Sequence, residues 1–251
     1  MKISIITACF NSAATLPDTL ESVLSQCYTN YELIVVDGAS TDGTVDILKD
    51  YEGRFGGHMR WISETDGGIY YAMNKGIAMA TGDVIGFLNS DDYYFDNEVL
   101  QDIAAAFEAA PSIDAIHGDL LFINANRKVV RRWKGRGYVP GAFQRGWMPA
   151  HPTFYCRRSC YEQFGSFAPE IGSAADFEIM LRFIEKHHIR ITYIPRHFIY
   201  MRTGGSSTAG IRSILRNTKQ NIEAFKRNGI AYPWHYAVSR LVRKCISYFR
   251  N

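Results

Sequence analysis

The chain has no run of apolar residues long enough to cross a bilayer. Met1-Lys2 leads straight into Ile3-Ser4-Ile5-Ile6, which leaves no room for a signal peptide. Five cysteines make an odd number, and Cys156 and Cys160 match no paired zinc spacing. Reduced thiols in a cytosolic protein are therefore expected. A formal charge of +3 is too small for a nucleic-acid partner held by bulk electrostatics. There is no internal repeat and no low-complexity segment. The two common phosphate cradles are also missing: no GxGxxG follows the first apolar segment, and GxxxxGK(S/T) occurs nowhere.

What is present is enough for a sizeable core. The chain has 251 residues, of which 47% are apolar and 21% charged. Aromatics reach 14%, which suits either sugar-stacking surfaces or tyrosine-rich packing. Apolar runs alternate with helical periodicity through the first part. Strands are expected at Ile3 to Ala8, Glu32 to Asp37, Arg60 to Ser63 and Val84 to Leu88. Helices are expected between them, from Leu16 to Leu24 with Pro17 in the first turn, from Thr44 after Asp42-Gly43, and from Ile69 to Ala80. This order predicts an α/β domain with a mostly parallel, twisted sheet flanked by helices.

Beyond residue 95 the pattern changes. Val99, Ile103, Ala106 and Phe107 mark a helix, and Ala115-Ile116-His117 a strand leading into Gly118-Asp119. Leu120 to Ile123 and Val129 to Trp133 flank Asn124-Ala125-Asn126 as a hairpin. The segment from Gly135 to Pro152 reads as an irregular loop over a site. A helix from Ala174 to Lys186 and separate strands at Ile189 to Ile194 and Phe198 to Met201 follow. The tail carries one helical stripe ending at Gly229 and a second, basic segment over 234–250 that begins at Trp234. That second segment suits either an anionic membrane surface or packing on protein. The expected organisation is a domain over 1–205, divided at about residue 95 into a nucleotide-binding and an acceptor half, and a helical extension over 206–251.

Asn89-Ser90-Asp91-Asp92 lies at the carboxyl end of the Val84 strand. In an open α/β sheet that edge binds ligands. Adjacent carboxylates there repel each other unless a cation or several donors compensate. A hard divalent ion completed by phosphate oxygens fits, and so does a solvated turn capping the next helix. Asp37 and Asp66 also follow strands, and the glycines after them, Gly38 and Gly67-Gly68, let a ligand approach the backbone. Asp42, before Gly43-Thr44, reads better as a helix cap. Lys75 and Arg202 are candidate phosphate partners. Trp147 and His151, in the Gly/Pro-rich loop, are candidate contacts to a donor or acceptor sugar.

Four blocks together carry a resemblance. They are Ile5-Ile6-Thr7-Ala8-Cys9-Phe10-Asn11, Val35 to Thr44, Asp66-Gly67-Gly68-Ile69-Tyr70 with Ala72-Met73-Asn74-Lys75-Gly76, and Gly86-Phe87-Leu88-Asn89-Ser90-Asp91-Asp92. In this order they resemble the blocks of family 2 glycosyltransferases, which have the GT-A fold and include bacterial exopolysaccharide and colanic-acid-type enzymes. His151-Pro152-Thr153-Phe154-Tyr155 and Ala174-Ala175-Asp176-Phe177-Glu178 fit the same family.

The resemblance implies a nucleotide set of Thr7, Ala8, Asn11, Asp37, Asp66, Lys75, Asn89 and Ser90. Asp91 and Asp92 would bind a divalent metal, Mn2+ or Mg2+, where the family carries its DxD motif. Asn89 stands at the first acidic position of that motif and supplies no charge. Asp176 matches the aspartate of the family's ED-type motif, the catalytic base, and Ala175 stands where an acid often precedes it. The implied activity is inverting transfer from a nucleoside-diphosphate sugar, with uridine favoured, to a glycan or lipid-linked acceptor. It would take place at the cytoplasmic face of the plasma membrane. A sugar nucleotidyltransferase would want a Gly- and Lys-rich phosphate loop early in the chain, and the sequence after Ala8 lacks one. A non-catalytic glycan-binding protein on the same fold is left open by Asn89.

Overall fold

The computed structural model describes residues 1–203 and 210–238. The first half alternates strands and helices: β1 (Ile3–Cys9), α1 (Leu16–Leu24), β2 (Tyr31–Asp37), α2 (Thr44–Glu52), β3 (Met59–Ser63), α3 (Ile69–Met79) and β4 (Val84–Phe87). These four strands lie in the order β3-β2-β1-β4, and every pair is parallel. Every residue of β1, β2 and β4 is buried. Strands covered on both faces read as unbroken apolar runs, so their sequences lack polar alternation.

The rest extends the sheet from β4. It comprises β5 (Tyr93–Tyr94), α4 (Val99–Ala109), β6 (Ala115–Ile123), β7 (Val129–Trp133), β8 (Tyr155–Arg157), α5 (Arg158–Phe164), α6 (Ala175–Leu181), β9 (Ile191–Arg202) and α7 (Gly210–Arg227). The sheet continues β4-β8-β6-β9-β5, and β7 pairs with β6. β8 runs antiparallel to both neighbours, whereas β6 and β9 are parallel. The expected α/β sheet with flanking helices is present, with its parallel part concentrated where the blocks lie.

Several local expectations need correction. β6 runs unbroken through Gly118-Asp119, and β9 joins the two separately expected strands through Pro195. Proline cannot donate to a ladder. The register accommodates it: His117 faces Tyr193 and Asp119 faces His197, so the strand slips around residues 194–196. β5 and β8 are short strands whose pairing comes from distant segments, and local periodicity does not reveal them. The last turn of the Asp176 helix, Arg182–Lys186, is a π-helical turn.

The tail packs onto α6. Phe225 meets Phe177 with ring centroids 5.5 Å apart, and Tyr236 meets Phe225 at 5.1 Å. Asn228 donates to Glu178 at 3.0 Å. Trp234, by contrast, is 92% exposed. Of the basic segment expected over 234–250, residues 239–250 lie outside the described residues.

One close approach decides how β4 sits. A Cβ on Gly86 would lie 2.0 Å from the ring of Tyr155, which is fully buried and bonds Tyr94 hydroxyl to hydroxyl at 2.7 Å. Gly86→Ala is expected to destabilise by about 2–3 kcal/mol through overpacking. Gly137→Ala, where a Cβ meets nothing within 4 Å, should change stability by less than about 0.5 kcal/mol. Urea unfolding midpoints of the two variants check this.

Candidate functional site

The parallel strands deliver their carboxyl ends to one cavity of about 760 Å³. Ala8 and Cys9 end β1, and Phe10, Asn11 and Ser12 carry the wall onward. Gly38 follows β2, Asp66 and Gly68 lead into α3, and Asn89, Ser90 and Asp91 follow β4. The opposite wall comes from the second half: His151, Pro152, Ser173, Asp176, Met201 and Arg202. This is the crevice at strand ends where open α/β sheets bind ligands.

Hydrogen bonds fix the first-half loops. Asn11 and Ala39 take left-handed backbone conformations, φ 49° and 61°. The Asn11 N–H donates to the Ser40 hydroxyl at 2.7 Å, and Thr41 N–H donates to Asn11 Oδ1 at 3.0 Å. The Ser12 and Ser90 hydroxyls bond at 2.8 Å and join the β1 loop to the acidic motif. Asp42 accepts from Thr44 N–H at 3.1 Å and from Ala13 N–H at 2.9 Å, a structural role.

Asp37 is fully buried and does not line the cavity. It accepts from the hydroxyl and N–H of Ser40 and, at 2.6 Å, from Ser63. Burial alone would raise its pKa, but the Ser40 and Ser63 donors prevail and hold it below the usual carboxylate range.

Within the acidic motif the two carboxylates part company. Asp91 is half-buried on the cavity wall. Asp92 is fully buried behind it, where it accepts from the Asn89 amide at 3.1 Å and from the Arg202 N–H at 3.2 Å. Burial pushes both carboxyls upward. For Asp92 the Asp91 charge adds to the effect, whereas for Asp91 the Arg202 charge opposes it. Arg202 also donates to the Asp91 carbonyl at 3.0 Å and to Asp18.

Among the described residues Asn89 Oδ1 is buried without a hydrogen-bond partner, although Asn89 itself lines the cavity. A divalent ion needs only one or two protein oxygens when phosphates complete its shell. Asp91 and Asn89 Oδ1 fit that requirement, whereas Asp92 is committed elsewhere. Among the described residues no group of three or more His, Cys, Asp or Glu converges on a metal position, so these residues alone form no closed cage.

Asp176 sits half-buried in the first turn of α6, and its Oδ1 accepts from the Phe177 N–H at 2.7 Å. Tyr70 lies beside it; burial, and then the Asp176 charge, push the phenol well above its usual pKa. His151 stacks on Phe87 at 5.3 Å, and burial pushes its pKa down to about 4, so it stands neutral at neutral pH.

The cavity thus brings together Ala8, Asn11, Asp66, Asn89, Ser90, Asp91, His151, Asp176 and Arg202 from the sequence-derived set. Thr7, Asp37, Lys75, Asp92 and Trp147 stand outside its wall. Lys75 pairs with Glu64 at 2.8 Å, and Trp147 packs edge-on against Phe143 and His117. Sequence reasoning passed over Phe10, Tyr70, Ser173 and Met201 as wall residues. Phe10 is 64% exposed and directly follows the last residue of β1, a position that could have marked it.

Comparison with known proteins agrees with this geometry. Residues 4–165 match the family model described as Glycosyl transferase family 2. The PGL/p-HBAD biosynthesis glycosyltransferase of Mycobacterium bovis is 32% identical over 180 residues, which cover 71% of this chain and 68% of the relative. Among solved structures, the 1–349 fragment of S. aureus TarS in complex with UDP-GlcNAc superposes with a TM-score of 0.68 at 20% identity, covering 96% of this chain and 74% of that one. A longer TarS chain gives the same TM-score, and this chain spans 44% of its length. The mannosyltransferase PcManGT from Pyrobaculum calidifontis, in complex with GDP-Man and Mn2+, gives 0.67 at 19% identity over 96% and 68%. The shared fold is GT-A, as the sequence blocks implied.

Two buried imidazoles generate a pH prediction. Burial pushes His117 and His151 from about 6.5 down to about 4. Between those values the unfolded chain binds protons that the folded chain does not, so stability is present above about pH 6.5 and is lost as pH falls towards 4. His117 is fully buried, and among the described residues neither ring nitrogen has a hydrogen-bond partner. It should account for about 2–3 kcal/mol of that loss. Denaturant titrations at pH 7 and pH 4.5 check this: His117→Phe should flatten the difference, and an unchanged difference would refute the assignment.

Proposed function

This chain belongs to glycosyl transferase family 2, and on that premise we propose that it moves a hexosyl or N-acetylhexosaminyl group from a nucleoside-diphosphate sugar to an acceptor hydroxyl with inversion. Family membership sets aside the nucleotidyltransferase alternative. The observation that carries the proposal is the shared cavity. Asp91 and Asn89, from the end of β4, face the same space as Asp176 from α6. A uridine diphosphate donor agrees with the ligands of TarS, and a nucleoside-diphosphate donor in general agrees with that of PcManGT.

The nucleoside occupies the end formed by Phe10, Asn11 and Asp66, with the exposed Phe10 ring as a stacking surface. Asp37 shapes that end from behind the wall through Ser40, which holds the Asn11 N–H, while Asp92 supports Asn89 and Arg202 at the other. A divalent ion, Mn2+ or Mg2+, would be held by Asp91 with Asn89 Oδ1, and when bound it supplies Lewis-acid stabilisation to the departing diphosphate. Arg202 adds a fixed positive charge beside Asp91. Asp176 takes the proton from the acceptor hydroxyl as that oxygen bonds to the anomeric carbon. The anomeric carbon's bond to the diphosphate oxygen breaks on the opposite face, and its electron pair leaves with the nucleoside diphosphate. One carboxylate opposite the leaving group is what inversion requires.

The acceptor we propose is a hydroxyl of a glycan or lipid-linked saccharide in bacterial surface polysaccharide synthesis. The enzyme would act from the cytoplasm at the inner face of the membrane. No helix among the described residues is long and apolar enough to cross that membrane.

Two variants separate the halves of the site. UDP with Mn2+ should raise the melting temperature of the wild type, and Asp91→Ala should abolish the metal-dependent part of the rise. Asp176→Asn should keep that rise yet slow UDP release from a UDP-sugar by about 100-fold or more. A flat melting response to every nucleoside diphosphate, or full turnover in Asp176→Asn, would overturn the proposal.

A further inference from the structure

The mechanism leaves the most basic part of the chain unused. From Asp119 to Glu162 the sequence contains no acidic residue between those two. Six of the ten residues from 127 to 136 are Lys or Arg: Arg127, Lys128, Arg131, Arg132, Lys134 and Arg136. They occupy the β6–β7 hairpin and the start of the loop that follows it. Among the described residues β7 is an edge strand, paired to β6 alone. All of these cations but Arg131 are exposed. Among the described residues Lys128, Arg132 and Lys134 form no ion pair, while Arg127 is bound to Asp18 at 2.9 Å.

Charge alone would be an ordinary guard against edge-to-edge pairing. The apolar residues beside it do not fit that role. Val129, Val130 and Val139 are 41%, 43% and 43% exposed. Val130 is the extra residue of a bulge where Arg131 faces Phe122 and Val129 faces Ile123. A bulge re-aims the edge. The hairpin therefore presents branched apolar side chains among uncompensated cations, the combination that anchors a protein at an anionic lipid interface.

Its position beside the cavity gives the surface a use. Val129 faces Ile123 across one ladder, and Ile123 faces Arg202 across the next. Arg202 is a wall residue, so the hairpin edge lies two strand spacings from the cavity, about 10 Å. Asp18 clamps the arrangement by accepting from both Arg127 and Arg202.

We propose that the β6–β7 hairpin is a docking surface for an anionic phospholipid bilayer, seating the cavity at the membrane through Lys128, Arg132, Lys134 and the valines at 129 and 130. This surface is distinct in sequence from the basic segment over 234–250 and does not depend on the transfer reaction.

Vesicle flotation with the full chain tests it. The wild type should bind vesicles of phosphatidylglycerol mixed with phosphatidylcholine, fail to bind phosphatidylcholine alone, and release in about 0.5 M salt. The triple variant Lys128→Glu, Arg132→Glu, Lys134→Glu should bind roughly 100-fold more weakly. Val129→Ser with Val130→Ser should weaken binding about fivefold or more, which a site for soluble polyanions would not do. Both variants should keep the wild-type melting temperature and its rise with UDP and Mn2+, so a failure here is distinguishable from failure of the transfer reading. Equal binding to neutral vesicles, wild-type binding by the charge variant, or no effect of the valine change would each overturn the proposal.

Discussion

Everything at the cavity depends on β1 lying between β2 and β4. Its register puts Ile3 opposite both Tyr31 and Val84, and Ile6 opposite both Ile34 and Phe87. A slip of one residue would turn every side chain of β1 to the other face. Glu32 locks that register from the end of the sheet away from the cavity. It accepts from the Ser4 hydroxyl at 2.6 Å, the Thr81 N–H at 2.7 Å, and Lys2 and Arg60 at 2.9 Å each. Burial would raise its pKa, but Ser4, Thr81 and Lys2 outweigh burial and hold it at about 2. One carboxylate thereby ties β1, β2, β3 and the turn before β4 together.

Glu32 and the Asn89-to-Asp92 motif hold their charge in opposite ways. Both Glu32 oxygens are met by protein donors, as a buried carboxylate demands. At the motif the accounting is left open. Asp91 and Asp92 lie next to each other with raised pKa values, and among the described residues Asn89 Oδ1 has no hydrogen-bond partner. Buried polar groups without partners are costly in an empty site and become satisfied when a ligand brings opposite charge. The difference between them is therefore the physical signature of where a ligand belongs.

Much of this was legible because the parallel half is built from local pattern. Apolar runs, caps and strand-end acids place β1 to β4 and the cavity edge without tertiary information. What escaped came from long-range pairing. Nothing near Tyr155 announces a strand that exists only because Ile85 and Ala115 lie on either side of Cys156. The two strands expected at Ile189 to Ile194 and Phe198 to Met201 are one, because the β6 register absorbs Pro195 between them. That Asp91 lines the cavity while Asp92 is buried behind it depends on Arg202 arriving from the far end of β9, a long-range contact no local motif encodes. In the same way Trp147, chosen as an aromatic in a loop, is held by Phe143 and His117.

The central claim is that Asp91 and Asp176 face one bound nucleoside-diphosphate sugar from opposite sides. A crystal grown with UDP-GlcNAc and Mn2+, measured with anomalous scattering, tests it most directly. The account predicts a manganese peak coordinated by Asp91 and the diphosphate, with the anomeric carbon turned towards Asp176. A manganese peak away from Asp91, or a sugar whose anomeric carbon faces away from Asp176, would contradict it.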